Sequence, residues 1–349
     1  MLALLFGFFI LISCLTGVLL VFEEEITERI HSDRYEVEVP DSPVLPIDEM
    51  ASKVSATLSQ DVSIIGVTKS ATPDRCYLFL LSKPKKAALC VNPYTGEVMG
   101  AKERLPFFQQ VIRLHRWLLG QRPVEGKVSV GRWVMGVSTV ALVVLLLTGI
   151  WMAQRRLLSK SKHRFRVARH QGLLRFCYDA HVVGGIFLTV FLLVRALTGL
   201  TWSFPAYRSA IYAAFGTEVE KKQGKEKMGL TPDFTVWQQA LDFTLPRCGD
   251  YQSVTVSNGK VEVRTQQVGN LRAVDTYHFD RGTGEITSLT KADEQSTATR
   301  LKGWIYTLHT GAELGWFSRF WTFVTVLLGA FLPLSGYYLW WKRKLGSRK

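Results

Sequence analysis

Three histidines carry the chemical signal in this 349-residue chain: His115, His181 and His309. His115 and His309 each follow a leucine, in Leu114-His115 and Leu308-His309, and each precedes an apolar run. His181 opens a third apolar run, in which Gly184 and Gly185 follow and Arg195 lies inside the span. Imidazole is a frequent metal ligand, and ionisable groups within lipid mark functional positions because burying them is costly. Arg195 lies 14 residues beyond His181, close to the same helical face and about 21 Å further along at 1.5 Å per residue.

These residues need membrane helices to hold them. Four apolar runs, Leu2–Phe22, Trp133–Ala153, Val182–Trp202 and Phe317–Trp341, each approach the roughly 20 residues that cross a bilayer core. The stretch Gln154–Phe176 between the second and third runs carries Arg155, Arg156, Lys160, Lys162, Arg164, Arg166, Arg169 and Arg175 and no acid, and the tail is basic too. Positive residues beside spans stay on the cytoplasmic side, which sends both longer polar blocks outside. Juxtamembrane charge thus accounts for the net charge of +14, and a nucleic-acid partner is not expected.

The expected order is span 1–22, outside block 23–106, interfacial segment 107–132 with His115, and span 133–153. A basic cytoplasmic loop 154–180 leads to span 181–202, outside block 203–302, interfacial segment 303–316 with His309, span 317–341 and tail 342–349. Each outside block reads as a small α+β domain. Ile47–Ser59 has helical spacing and Val62–Thr68, Cys76–Leu81 and Ala87–Val91 are strand-like. In the second block Val236–Phe243 is the helix, and Ser253–Val256, Lys260–Thr265 and Asp275–Phe279 are strands.

The halves repeat one another. Leu-Thr-Gly recurs at 15–17 and 197–199, Thr-Gly-Glu at 95–97 and 283–285, Leu-His at 114–115 and 308–309, and Thr148-Gly149 matches Ser335-Gly336. Four landmark pairs in one order predict an internal duplication. His115 and His309 are then a symmetry-related pair on the outer side, the arrangement of a bis-imidazole centre. His181 lies on the inner side, and its counterpart would fall just upstream of Met1, so a fourth ligand is expected there.

Two histidine levels fit stacked b-type haems, one or two, with Arg195 pairing a propionate of the outer one. His31, His163, His170 and His278 read as solvated. There is no CxxC or CxxCH, which argues against a zinc ribbon or covalently attached haem. Cys76 and Cys90 flank the Lys83-Pro84-Lys85 turn symmetrically and could face each other as a disulfide. The Leu11-Ile12-Ser13-Cys14 string, with eight apolar residues after it, reads as part of the span rather than a lipoprotein cleavage box.

LTGVLLVFEEEI, VNPYTGEVMG, RLHRWLLG, LTGIWM, YDAHVVGG, LTGLTWSF, LHTGAELG and GYYLWWKRK together resemble the PepSY-associated transmembrane helix family. That family includes iron-regulated inner-membrane proteins and ferric-siderophore reductases of the FoxB type. The resemblance implies a mainly α membrane protein with a four-helix core and two periplasmic PepSY domains in the bacterial inner membrane. It further implies haem on membrane histidines and transfer of electrons to a ferric siderophore or similar chelate. The family's Leu-His-Arg-Trp-Leu-Gly-Leu-type opening is absent here. With no nucleotide or flavin motif, quinol or a redox partner is the expected donor. Two other readings stay open: a non-enzymatic PepSY module that binds a periplasmic peptidase, and an electron-transfer subunit for a separate reductase.

Overall fold

A computed structural model describes residues 2–84, 87–121, 129–160, 165–220, 232–265 and 268–346. His163, Lys162 and Arg164 of the basic loop, Lys85 of the hairpin turn, and Arg348 and Lys349 of the tail lie outside those residues. The chain divides into two compact units. One comprises 1–23, 106–219 and 305–349; the other comprises 24–105 and 220–304.

Among the described residues of the first unit, four helices are long and apolar enough to cross a membrane: α1 (Leu2–Leu20), α6 (Val130–Leu158), α7 (Leu173–Ser203) and α11 (Trp316–Gly346). The last three outrun the predicted spans, because their polar and basic ends continue the helix past the apolar core. Ser129 caps α6 by accepting from the Arg132 N–H, satisfying an otherwise orphaned donor. Helix α1 packs on α6 and α11, and α7 packs on the same two, so the four close a ring. Small residues allow close approach. A side chain on Gly7 would meet the Tyr337 ring, whose hydroxyl donates to the Leu4 carbonyl at 2.9 Å. One on Gly136 would meet Ser203 and Phe204. Two helices outside the ring carry the paired histidines: α5 (Pro106–Trp117), packed on α1 and α6, and α10 (Thr297–Thr310). Helix α8 (Pro205–Ala214) follows α7 after a break at Phe204.

The described residues of the second unit form α2 (Glu23–Ile30), α3 (Ser32–Tyr35), α4 (Ile47–Ser55) and α9 (Phe234–Thr244) with eight strands. These are β1 (Ile64–Ser70), β2 (Tyr77–Leu81), β3 (Ala88–Val91), β4 (Val98–Ala101), β5 (Ser253–Ser257), β6 (Lys260–Arg264), β7 (Asp275–Phe279) and β8 (Ile286–Thr290). All pair antiparallel in the order β4-β3-β2-β1-β5-β6-β7-β8. The two α+β blocks are therefore one body rather than the two separate domains expected. Strand β1 has one edge free after pairing β2, and β5 fills it, with Val67 opposite Val256 and Thr68 opposite Thr255. Unpaired edges attract further strands. Helices α4 and α9 pack together over one core, in which Met50, Val54, Trp237, Phe79, Val254 and Val261 are fully or almost fully buried.

The β2–β3 register corrects the hairpin expectation. Cys90 lies opposite Leu78, and the turn centres on Pro84, so Cys76 and Cys90 are diagonal rather than directly facing. Both are free thiols, buried beside Tyr35 and Val37.

Candidate functional site

Each of the three histidines sits on a Thr-Gly or Ser-Gly dipeptide of a membrane helix. His115 Nδ1 lies 2.9 Å from Thr16 Oγ1 of α1. His309 Nδ1 lies 3.2 Å from Thr198 Oγ1 and 3.1 Å from the Arg195 carbonyl of α7. His181 Nδ1 lies 2.8 Å from Ser335 Oγ of α11.

The hydroxyls decide the tautomer. Thr16 donates its only proton to the Ile12 carbonyl at 2.6 Å, Thr198 to Val194 at 2.7 Å, and Ser335 to Phe331 at 2.9 Å. A hydroxyl has one donor, so each of these oxygens can only accept from the ring. All three imidazoles therefore carry the proton on Nδ1 and keep the Nε2 lone pair available. A neutral ring whose other nitrogen is tied to a second group is how proteins prepare a metal ligand.

The glycine that follows lies against the ring, and at Gly199 a side chain would crowd it. An added Cβ would stand 3.6 Å from His115 Cε1 at Gly17, 3.1 Å from His309 Cε1 at Gly199 and 3.6 Å from His181 Cε1 at Gly336. The fourth dipeptide, Thr148-Gly149 of α6, bonds its hydroxyl back to Val144 at 2.7 Å, as the others do to their own helices. A Cβ on Gly149 would meet nothing within 4 Å.

The structure brings His115 and His309 together. Their ring centroids are 6.3 Å apart with planes 59° apart, and Trp202 meets His309 edge-on at 4.9 Å. Both rings lie outside the four spanning helices. Burial pushes His115 down to about 4 and His309 to about 3; Arg116 adds to it at His115, and His115 and Arg195 add to it at His309. Both are thus neutral at physiological pH. His181 belongs to a separate level, on α7 against Ser335 of α11.

Arg195 joins the His309 level. Its Nη2 donates to Thr322 Oγ1 at 2.6 Å and lies 3.8 Å from Glu313 Oε1. Its Nε and Nη1, and Glu313 Oε2, are buried without a hydrogen-bond partner. Gly311 makes this corner possible. It has a φ of +76°, and a Cβ there would stand 1.8 Å from Thr322 Oγ1. Only glycine combines that conformation with so close an approach.

At the other end of α7, Asp179 is 1% exposed. It accepts from Arg175 Nε at 3.0 Å and from the Ala168 N–H at 3.3 Å, and Arg156 stands 3.6 Å away. The basic loop is thereby pinned to α7. His170 and His278 are exposed and His31 is partly so.

Sequence reasoning did not find Thr16, Thr198 and Ser335 as ring partners, nor Glu313 and Thr322 around Arg195. The signal for the first three was present, since the Thr-Gly and Ser-Gly dipeptides served as landmarks of the repeat. Among the described residues, no group of three or more His, Cys, Asp or Glu side chains is arranged to hold a metal ion.

A family model described as the PepSY-associated TM region matches residues 1–343. No curated protein matches the chain.

Proposed function

Because the chain belongs to the PepSY-associated TM region family, we propose that it is a haem-containing oxidoreductase of the bacterial inner membrane. It passes electrons to a ferric siderophore or similar Fe(III) chelate on the periplasmic side, with quinol or a redox partner protein as donor. The basic 154–180 loop faces the cytoplasm, and the eight-stranded unit is the periplasmic PepSY body, built by duplication of one α+β half.

The observation that carries this reading is the His115–His309 pair. Imidazole nitrogens sit about 2 Å from a bound metal, so two rings that would share one ion have centroids within roughly 6 Å of each other. The observed 6.3 Å meets that spacing. Two protein donors without a third suit a metal whose remaining positions are filled by a macrocycle.

The other residues fit haem as well. Gly199 leaves space beside the His309 ring, and the partnerless Arg195 N–H groups match a propionate carboxylate. His115 and His309 would hold the outer haem, and His181 one face of an inner haem. When bound, haem supplies reversible one-electron chemistry. Thr16 and Thr198 keep the ligand tautomer, Arg195 binds the carboxylate, and the apolar spans exclude water. Iron(II) is held more weakly than iron(III) by hard oxygen chelators, so reduction favours release of the metal.

The test is an oxidised and reduced spectrum of the purified protein in detergent, with a pyridine haemochrome count. A six-coordinate b-type spectrum, lost in His115→Ala and in His309→Ala, is the expected result. A folded but colourless protein would overturn the reading and favour a PepSY module acting by binding alone.

A further inference from the structure

We propose that Cys76 and Cys90 are a redox pair that closes an intrachain disulfide, stapling the segment before β2 to the centre of β3. The sequence offers a symmetric turn between them, whereas the structure offers a specific contact. The two thiols share one buried cluster with Tyr35 and Val37. Cys76 has already left the β2 ladder, and its N–H donates to the Tyr35 carbonyl at 3.0 Å. That departure lets a diagonal pair meet, where a regular ladder holds diagonal neighbours about 7–8 Å apart.

The surroundings favour the reaction. Cys76 is 6% exposed and Cys90 is fully buried, with Tyr35 and Val37 completing the cluster. Arg34 and Lys102 stand near Cys90, and Arg75 and Lys102 near Cys76, with Glu28 opposing them at Cys90. Positive charge beside Cys90 favours its thiolate, the attacking species in disulfide exchange.

The oxidant is a disulfide, either of a small thiol or of a protein. Cys76, the less buried sulfur, gives up its proton and attacks the donor disulfide as the thiolate, forming a mixed disulfide and releasing the first thiol. The Cys90 thiolate then attacks the Cys76 sulfur and expels the second thiol. Two cysteine thiols become one S–S bond and the donor disulfide becomes two thiols, so electrons and protons balance. The bond would tie residues 35–37, 74–76 and 90 together, because Glu36 bridges Arg75 and the Val37 N–H donates to the Asp74 carbonyl at 2.9 Å.

In the cell this inference rests on the periplasmic placement proposed above, and two measurements separate them. Full-length protein is reduced in detergent, freed of reductant and equilibrated with oxidised glutathione, then denatured and alkylated. Of its five cysteines, three are expected to react, with a linked 76–90 peptide by mass spectrometry and all five reacting after reduction. Cys76→Ser should leave all four of its cysteines reactive. Reductant should lower the melting temperature of the oxidised protein but not of a Cys76→Ala/Cys90→Ala variant. Five reactive thiols after equilibration, or a bridge through Cys248, would overturn the proposal. If the pair oxidises in detergent but is reduced in protein alkylated directly in intact cells, the thiol chemistry stands and the periplasmic placement falls.

Discussion

His115 donates its Nδ1 proton to Thr16, whose own proton is already committed to the Ile12 carbonyl one helical turn back. His309 and Thr198 repeat the relation on the diagonally opposite helix, with the Arg195 carbonyl as an added acceptor. A threonine inside an apolar span thus fixes which nitrogen of a ring on another helix faces outward.

Thr16→Val and Thr198→Val remove that acceptor while nearly preserving shape. Outer partners of metal ligands typically contribute about 10–100-fold to affinity. On the haem assignment proposed above, each variant should lose the group more readily and shift its midpoint potential, read by spectroelectrochemical titration. Unchanged haem retention and potential in both would show that the hydroxyls do not tune the ligands.

Gly311→Ala should destabilise the membrane unit far more than Gly149→Ala. The first forces a Cβ to 1.8 Å from Thr322 Oγ1 at a φ of +76°, whereas the second meets open space. Strained left-handed positions alone cost about 1–3 kcal/mol, and the clash adds to it. Thermal denaturation in detergent, followed by circular dichroism, should rank the two in that order.

The buried imidazoles give a pH dependence with a definite sign. His115 and His309 titrate near 4 and 3 when folded, against about 6.5 in an unfolded chain. Between these values the unfolded chain binds more protons, so the haem-free protein should lose stability as pH falls from about 6.5 towards 4. A His115→Gln/His309→Gln variant should lose less over the same window, measured by melting temperature against pH.

Trp237→Ala tests the core of the sheet unit, because this side chain is 1% exposed between α4, α9 and the strands. Large-to-small changes of this kind cost about 3–5 kcal/mol. Limited proteolysis should then cut residues 24–105 and 232–304 faster than in the parent protein.

Asp179→Asn removes the charge that Arg156 and Arg175 share. Trypsin should cleave between α6 and α7, within 159–172, faster in the variant, with the transmembrane helices still intact. Equal cleavage rates would mean that the carboxylate does not hold the loop.

Much of this arrangement was legible in the chain itself. The four spans stand out by length and apolar content, and the paired Leu-His and Thr-Gly landmarks point to residues that the fold does bring together. What escaped has physical causes. Strands β4 and β8, at four and five residues, are too short and too exposed to show a periodic pattern. The β1–β5 pairing joins positions far apart in sequence, and nothing local announces which edge a strand will choose. The hairpin centre moved by one residue, enough to turn a facing cysteine pair into a diagonal one. Ring partnership for Thr16 and Ser335 depends on where neighbouring helices lie, which spacing within one helix cannot convey.

The pairing of β1 with β5 also sets a timetable for biogenesis. About 180 residues, including α6 and α7, separate the two strands. At about 5–20 residues per second of synthesis, the inner edge of β1 stays bare for roughly 10–40 s after it emerges. During that interval the half-sheet offers an open ladder to any passing strand, so this membrane protein has reason to need a chaperone on the side where its sheet folds.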